Sequence, residues 1–320
     1  MTLMDALDSI HVINFFELSQ YSFKNTCVTI GNFDGVHLGH QAVIQKIITA
    51  AHPQNKPVIV VTFFPNPLEY FNSHLSMEYL STPKEKQAFL LDLGVDHVVT
   101  FKFDQNFADL SAGVFLKSIK ENLGLSLLVV GRDFALGKNR AGTLPVIREI
   151  GRDLSFEVRM INPINFATKE ISSTGIRKCL DEGDVTCAAK LLGRPYAVAG
   201  PVTHGADRGA RIGLPTVNIT HWPQKKLPAI GVYATRVFLD QHEYQGITNI
   251  GVRPTFEIQS VPNVETHILD FDRNIYGENL ELHFIQKIRD EKKFNGATEF
   301  LTQIERDKAA ARKIFEDGTS

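Results

Sequence analysis

The sequence lacks long apolar runs, has little cysteine and carries almost no excess charge. No stretch approaches the ~20 apolar residues of a membrane-spanning helix. The N-terminus also lacks the basic start and following apolar run of a secretory signal. The formal net charge of −2 gives no general attraction to nucleic acid or to an anionic membrane. Any anionic ligand must therefore be bound by local geometry.

The cysteines are too few and too irregularly spaced for a zinc site or a redox pair. They are Cys27, Cys179 and Cys187, and we expect all of them to be free thiols in a reducing compartment. Together with the missing export signal, this predicts a cytoplasmic protein. The 320 residues, 43% hydrophobic and 22% charged, are typical of a soluble globular chain with room for two domains.

The first half of the chain alternates strand-like apolar runs with helical segments. The runs are Val28–Ile30, Val58–Phe64, Val98–Phe101 and Leu127–Val130. Between them, a helical pattern follows His40, a capping box with proline opens a helix after Thr82, and Ser111 caps a helix that ends near Gly124. This alternation predicts a doubly wound, parallel-sheet, Rossmann-like α/β domain, in which ligands bind at the carboxyl ends of the strands.

The pattern then changes to closely spaced strands without helices between them. Two short capped helices, starting at Ser173 and Asp184, lead into this region. The strand-like runs are Tyr196–Val202, Gly231–Leu239, Tyr244–Ile250, Val264–Phe271 and Leu280–Ile288. They predict a small antiparallel β-barrel, with a final helix from about Ala297 to Phe315 packed on its side. We therefore predict domains at residues 1–185 and 186–320.

The most informative segment, T-I-G-N-F-D-G-V-H-L-G-H at residues 29–40, joins the first strand to the first helix. Glycine lets the backbone approach a ligand, and free N–H groups at a helix start favour an anion. His37 and His40 frame Gly39 there, and imidazoles can donate hydrogen bonds to phosphate and carry charge near neutrality. The segment has no G-K-[ST] and is not a P-loop. Taken alone, the histidines could equally be surface or capping residues, or half of a metal site.

This segment resembles the H-x-G-H motif of the nucleotidyltransferase superfamily. Two later segments resemble blocks of its FAD synthetase branch: V-G-R-D-F-A-L-G at 130–137, with Arg140 and Gly142, and I-S-S-T-G-I-R at 171–177. Without the resemblance, the I-S-S-T-G-I-R segment would be interpreted as a plain helix N-cap. The resemblance implies that the phosphate of FMN attacks the α-phosphorus of ATP and pyrophosphate leaves, with Mg²⁺ as the phosphate counter-ion.

The resemblance also implies roles for individual residues. The implied catalytic residues are His37, His40 and Arg177. The implied nucleotide or phosphate contacts are Gly31, Phe33, Asp34, Gly39, Asp133, Ser172, Ser173 and Thr174, and the implied flavin contact is Phe134. Three positions depart from the family pattern: Asn66 lies in P-N-P where P-H-P is usual, Leu136 replaces phenylalanine, and Gly175 replaces a bulkier residue.

A second segment, H-G-A-D-R-G-A-R-I-G-L-P-T-V-N at 204–218, combines closely spaced glycines, two arginines and a proline-fixed turn. In an extended strand, Thr216 and Asn218 point to the same side and could direct oxygen atoms at one hard cation. The glycine–arginine loop could fold over phosphates. Taken alone, these residues favour a flexible basic surface loop.

This second segment resembles the G-x-P-T-x-N block of riboflavin kinases, and further blocks follow in that family's order at 231–233, 249–256, 265–271 and 288–294. Across roughly residues 25–315 the chain resembles the bifunctional riboflavin kinase/FAD synthetase family. Glu265 then matches a base that takes the proton of the ribityl 5′-hydroxyl as it attacks the γ-phosphorus of ATP. Implied metal ligands are Thr216 and Asn218, implied phosphate contacts are Gly205, Arg208, Arg211 and Gly213, and implied flavin contacts are Arg289 and Phe294. We interpret His267 as structural.

These residues leave three hypotheses. The first is a bifunctional enzyme that phosphorylates riboflavin to FMN and then adenylylates FMN to FAD. The second, motivated by Asn66, Leu136 and Gly175, is a riboflavin kinase with an impaired N-terminal nucleotide-binding domain. The third is a non-catalytic flavin-binding sensor, in which Glu265 would be dispensable. The expected partners are ATP, riboflavin and FMN, with no sign of nucleic acid, membrane or an obligate protein partner.

Overall fold

The computed structural model of the chain describes residues 12–72, 77–132, 134–161, 165–166, 169–203, 215–252 and 262–317. The chain divides into two compact units, and the division falls between Ser172 and Ser173. The first unit mixes helices with a parallel sheet, and the second is built mainly on antiparallel strands. No helix of the described residues is both long and apolar enough to cross a membrane.

The first unit contains a six-stranded sheet in which every neighbouring pair is parallel. Its strands are β1 (Val12–Ile13), β2 (Thr26–Ile30), β3 (Val58–Phe64), β4 (His97–Lys102), β5 (Leu125–Gly131) and β6 (Glu157–Ile161). Its helices are α1 (Leu38–Ala51), α2 (Pro67–Phe71), α3 (Pro83–Asp92), α4 (Gln105–Ala108), α5 (Ala112–Leu123) and α6 (Leu144–Asp153). A separate strand pair comprises β7 (Asn165–Phe166) and β8 (Lys169–Glu170). The sheet order is β1-β4-β3-β2-β5-β6, which confirms the predicted doubly wound parallel sheet.

Both faces of this sheet are buried, because successive residues of a strand point to opposite sides. In β3, Ile59 and Val61 pack in a cluster with residues of α5 and α6. Their neighbours Val58 and Val60 pack in a second cluster with residues of α1 and α3. The apolar run V-I-V-V-T-F-F at residues 58–64 is therefore continuous because each of its faces meets a helical layer.

Local capping explains where the helices begin. The Thr82 hydroxyl accepts a hydrogen bond from the Glu85 backbone N–H (3.1 Å), and the Glu85 carboxylate accepts one from the Thr82 N–H (2.8 Å), which confirms the predicted capping box. Ser111 caps α5, and Gly124 ends it in a left-handed conformation. The helix predicted to follow His40 begins earlier, at Leu38, because His37 is its N-cap.

The second unit is a closed antiparallel barrel with the strand order β10-β13-β12-β11-β14-β9. Its strands are β9 (Tyr196–Thr203), β10 (Val217–Ile219), β11 (Gly231–Leu239), β12 (His242–Gly251), β13 (Asn263–Ile268) and β14 (Asn279–Arg289). The helices α7 (Ser173–Asp181) and α8 (Val185–Leu192) precede the barrel, and α9 (Ala297–Asp317) follows it. Ala311 and Phe315 of α9 pack in a cluster with barrel residues such as Val232 and Ile247. The predicted barrel and terminal helix are confirmed.

The expectation of three free thiols is wrong for two of them. Cys179 near the end of α7 and Cys187 in α8 form a disulfide, with their Cα atoms 5.9 Å apart. Linear spacing did not suggest this pair, because the turn between two neighbouring helices brings the residues together. Cys27, in β2, is free and buried as expected.

Candidate active sites

The loop from β2 to α1 carries the first candidate site, and its backbone is unusual. Phe33 (φ 49°), Gly35 (φ 76°) and Val36 (φ 39°) are all left-handed, which is costly for phenylalanine and more so for β-branched valine. The Phe33 ring lies against Gly31, where an added Cβ would be 3.0 Å from it. Such strain persists only where the surroundings fix the chain, and it is concentrated at functional sites.

His37 and His40 lie together at the start of α1. The Nδ1 atom of buried His37 accepts a hydrogen bond from the His40 backbone N–H (3.3 Å), and the two rings stack with centroids 3.7 Å apart. Gly39 lies beneath the His37 ring, because a Cβ there would be 3.1 Å from Nδ1. The H-x-G-H spacing thus places two imidazoles at a helix N-terminus, where backbone N–H groups and the helix dipole favour an anion.

The structure corrects one expectation about this pair, which concerns the charge of His40. Burial, followed by the proximity of His37 and Lys86, lowers the pKa of His40 well below its usual value. His40 is therefore a neutral imidazole at physiological pH. Its Nδ1 atom is buried and has no hydrogen-bond partner among the described residues. An unsatisfied buried polar atom of this kind is suited to receiving a ligand.

Hydrogen bonds of Asp34 and Lys86 hold the loop between β2 and α1 in place. The buried Asp34 carboxylate accepts hydrogen bonds from the backbone N–H groups of Leu80 (3.0 Å) and Ser81 (3.3 Å). The Lys86 ammonium, 7% exposed, donates to the Asn32 carbonyl (3.1 Å), as well as to partners at the end of β3. These contacts give Asp34 an anchoring position, and its contact with a nucleotide stays a prediction.

Sequence reasoning missed Lys86, although a pattern could have found it. Pro83, Lys86 and Leu90 are the buried residues of α3, and their spacing of three and four defines one helix face. A lysine on such a face is uncommon, because burying an ammonium is costly unless its donors are satisfied.

A cavity of about 760 Å³ opens beside this loop and contains Gly31 and Asn32 in its wall. Most of the remaining wall is apolar and aromatic, including Phe63, Phe103, Phe107, Phe115, Phe134 and Leu136. A concave, mainly apolar site of this size with a few polar groups is typical of a ligand pocket. Phe134 therefore lines this cavity, and its contact with a flavin stays a prediction. Leu136 supplies aliphatic surface where the family has an aromatic ring.

Asn66, the residue of the P-N-P departure, is buried at the end of β3. Its Oδ1 accepts hydrogen bonds from the Leu68 backbone N–H (3.0 Å) and from the Asn32 Nδ2 (3.3 Å). Asn66 thus caps α2 and connects this cap to Asn32, in the loop between β2 and α1. The side-chain amide of Asn66 therefore has a structural role at this position.

The I-S-S-T-G-I-R segment opens α7, which begins at Ser173 as predicted. Ser172 and Thr174 are exposed, and Arg177 is half-buried one turn into the helix. Hydroxyls in the first turn and an arginine just beyond it suit a phosphate ligand. The contacts of these residues with ATP stay predictions.

The second candidate site lies in the barrel, where three predicted residues come together. Asn218 in β10 is directly opposite Glu265 in β13, and opposite residues of antiparallel strands share a face. Thr216 donates a hydrogen bond from Oγ1 to the Glu265 carboxylate. The structure thus groups a hydroxyl, an amide and a carboxylate, which are oxygen ligands of the kind that Mg²⁺ prefers.

Two neighbours, Asn263 and His267, fix this group, and of the two only Asn263 was not singled out from the sequence. Asn263 donates from Nδ2 to the Asn218 Oδ1 (2.8 Å), so it orients that amide. His267 makes a 2.8 Å hydrogen bond to the Pro215 carbonyl, which holds the segment entering Thr216. Burial lowers the pKa of His267, in keeping with the structural role predicted for it.

Arg289 and Phe294, the predicted flavin contacts, lie near each other at the end of β14. The Arg289 guanidinium makes hydrogen bonds to both carboxylate oxygens of buried Asp307 in α9, at 2.8 to 3.0 Å. Its centre is 5.8 Å from the Phe294 ring, and the Lys292 ammonium is 4.8 Å from the same ring. Arg289 therefore anchors α9, and its contact with a flavin stays a prediction.

Several predicted site residues lie outside the described part of the chain. They are Asp133, Gly205, Arg208, Arg211 and Gly213. Within the described ranges, no group of three or more histidine, cysteine, aspartate or glutamate side chains could hold a metal ion, so the metal-site interpretation of His37 and His40 gains no support.

An α/β unit with paired imidazoles at a helix mouth, followed by a barrel that groups Thr216, Asn218 and Glu265, defines a two-domain enzyme of nucleotidyl and phosphoryl transfer. Residues 19–175 match the FAD synthetase family, and residues 192–315 match the riboflavin kinase family. The chain belongs to the family of bifunctional riboflavin kinase/FMN adenylyltransferases. Because both enzyme domains are present, neither the kinase-only hypothesis nor the sensor hypothesis is favoured.

Similar proteins cover nearly the whole chain. The bifunctional riboflavin kinase/FMN adenylyltransferase of Escherichia coli K12 is 36% identical, over 93% of this chain and 95% of that protein. The protein of that name from Haemophilus influenzae is 38% identical, over 91% and 95%. A crystal structure from Streptococcus pneumoniae, described as a macrolide-efflux protein, has a TM-score of 0.83 at 30% identity and covers 90% of this chain and 94% of its own.

Proposed function

We propose that the barrel unit phosphorylates riboflavin to FMN and that the α/β unit adenylylates FMN to FAD, with ATP bound as its Mg²⁺ complex at both sites. The observation that carries this proposal is the grouping of Thr216, Asn218 and Glu265 in one unit and of His37 and His40 in the other. The functional domains correspond to residues 1–185 and 186–320. The substrates are ATP, riboflavin and FMN, and the enzyme works in the cytoplasm without an obligate partner.

In the kinase step, the Glu265 carboxylate accepts the proton of the ribityl 5′-hydroxyl as that oxygen attacks the γ-phosphorus of ATP. The new O–P bond forms as the bond from γ-phosphorus to the β-bridging oxygen breaks, and ADP leaves. The Thr216 hydroxyl orients the carboxylate through the hydrogen bond it donates. Mg²⁺, when bound by Thr216 and Asn218, neutralises phosphate charge.

In the adenylylation step, a phosphate oxygen of FMN attacks the α-phosphorus of ATP, and pyrophosphate leaves. The nucleophile is already ionised, so catalysis consists of positioning and charge stabilisation. His37, His40 and the N-terminus of α1 donate hydrogen bonds to phosphate oxygens, and Ser172 contributes a further contact. The apolar cavity that contains Phe134 accepts the flavin ring.

A product assay with two single variants tests this division of labour. His40→Ala should reduce FAD formation by about 100-fold, as expected for a lost electrostatic contact, and should leave FMN formation intact. Asn218→Ala should abolish FMN formation and leave FAD formation from supplied FMN. Chromatography of flavins from riboflavin, ATP and Mg²⁺ measures both steps, and exposed His52→Ala is the matched control. Equal loss of both steps in a folded variant would contradict the proposal.

A further inference from the structure

The Lys86 ammonium is buried, and its N–H groups donate hydrogen bonds to acceptors near the ends of β2 and β3. It donates to the Asn32 carbonyl (3.1 Å), the Thr62 Oγ1 (2.9 Å) and the Phe63 carbonyl (3.3 Å). An ammonium has three donors, and each meets a partner here. The Thr62 hydroxyl, which accepts from Lys86, donates in turn to the Asn32 carbonyl (3.1 Å).

These contacts join the carboxyl ends of β2 and β3, where a doubly wound sheet places its ligand. Asn32 lies immediately before Phe33, where the left-handed part of the loop begins. Phe33 then meets the His40 ring edge-on, with centroids 5.2 Å apart. Lys86 therefore fixes the backbone from which the first site is built, without lying among the groups assigned to the phosphates.

Lys86 also acts on the histidine pair through its charge. Its proximity is one of the causes that lower the pKa of His40. Asp34 on the loop favours the charged form of Lys86, and Lys86 in turn acts on His40 in α1. The groups of β3 that accept its hydrogen bonds, the Thr62 Oγ1 and the Phe63 carbonyl, are neutral. Burial lowers the pKa of Lys86 from the usual 10.5 to about 8, so the ammonium form prevails at pH 7.

We propose that Lys86 is a positioning residue for adenylyl transfer, which fixes the loop between β2 and α1 through the Asn32 carbonyl. The proposal rests on the assignment of FMN adenylylation to this unit. Lys86 itself touches no reacting atom.

The test compares Lys86→Met with Lys84→Met in the full-length enzyme, because Lys84 is exposed on the same helix. Lys86→Met should lower kcat for FAD formation by about 100-fold, the usual cost of a displacement of ~1 Å. FMN formation by the barrel of the same molecules should be unchanged, and a circular dichroism spectrum equal to that of the wild type shows that the α/β unit, which contains Lys86, is folded. In histidine-labelled protein, NMR titration should show a higher pKa for His40 in Lys86→Met and no change in Lys84→Met.

The wild-type enzyme provides a measurement that does not depend on the variant's folding. FAD formation, but not FMN formation, should fall as pH rises through about 8, where Lys86 loses its proton. A flat profile across this range would overturn the proposal, as would unchanged FAD formation or an unmoved His40 pKa in Lys86→Met. If His40→Ala also left FAD formation intact, the site assignment itself would fail; if only Lys86→Met did, the role of Lys86 alone would fail.

Discussion

At the scale of single residues, burial determines which groups of the first site carry charge. His40 is held neutral, whereas Lys86, whose pKa is lowered from 10.5 to about 8, keeps its proton at pH 7. Burial is the largest cause of both shifts, because a low-dielectric surrounding disfavours the charged form of each base. The site therefore combines a neutral His40 imidazole with the buried Lys86 ammonium.

The lowered pKa of Lys86 predicts the direction in which the free energy of unfolding changes with pH. Its pKa is about 8 in the folded chain and 10.5 when exposed, so between these values the unfolded chain binds more protons. Stability from this group therefore rises with pH across that window, by about 3 kcal/mol in total. Urea unfolding followed by circular dichroism at pH 7.5 and at pH 10 measures it, with Lys86→Met as the reference.

The increase in the free energy of unfolding between pH 7.5 and pH 10 should be smaller in Lys86→Met than in the wild type. An equal change in both would show that other groups determine the trend. Because stability from Lys86 increases while FAD formation is expected to decrease, loss of activity above pH 8 cannot be attributed to unfolding caused by this residue.

At the scale of elements, the sequence was most informative where one local interaction decides the structure. The capping box at Thr82 and Glu85 and the Ser111 cap involve neighbours in sequence, so they were predicted correctly. The strand β6 was missed, because Glu157–Ile161 is an exposed edge strand with charged residues and without an apolar run. Strand β10, of three residues, is too short for a pattern of its own.

The candidate sites show the same division between local and long-range causes. His37 and His40 were found because a helix start and a motif lie within a few residues of each other. The spacing of α3 could have marked Lys86 as buried, but its partner Asn32 is 54 residues away. Asn263 was missed because its partner Asn218 is 45 residues away. Sequence separation of this size leaves no local pattern, so only the fold shows which polar groups meet.

The docking of α9 onto the barrel gives a prediction at the element scale. Asp307 is 1% exposed and pairs with Arg289 of β14. Asp307→Ala leaves the guanidinium without its carboxylate and should lower the free energy of unfolding by about 3 kcal/mol. The only tryptophan, Trp222, is buried in the barrel unit, so its fluorescence during urea unfolding follows this unit alone.

The matched control is Glu305→Ala, two residues away on the same helix. Glu305 is exposed and pairs with Lys308 at 3.0 Å, and an exposed pair of this kind contributes at most about 1 kcal/mol. Similar losses for Asp307→Ala and Glu305→Ala would show that α9 is held by its apolar contacts and not by the Arg289 pair.

At the scale of the whole molecule, the chain contains two compact units, each with its own candidate site. The two steps are linked chemically, because the product of the barrel is the substrate of the α/β unit. If FMN reaches the second site through solution, the two activities need not lie on the same molecule.

A mixture of His40→Ala and Asn218→Ala, each of which is impaired in one of the two steps, tests this expectation. His40→Ala supplies FMN, and Asn218→Ala adenylylates it, so together they should convert riboflavin to FAD after a lag in which free FMN accumulates. Chromatography of the flavins over time measures the lag. FMN without FAD in the mixture, when Asn218→Ala is active on supplied FMN, would indicate that FMN must be passed on within one chain.

The hydrogen bond that starts α1 also fixes the tautomer of His37. Its Nδ1 atom is the acceptor for the His40 backbone N–H, so the proton of the neutral ring must be on Nε2. The ring can therefore donate a hydrogen bond from Nε2 to a phosphate oxygen. It cannot accept a proton at Nδ1 without releasing the helix cap, and His37 is therefore unsuited to act as a general base through that atom.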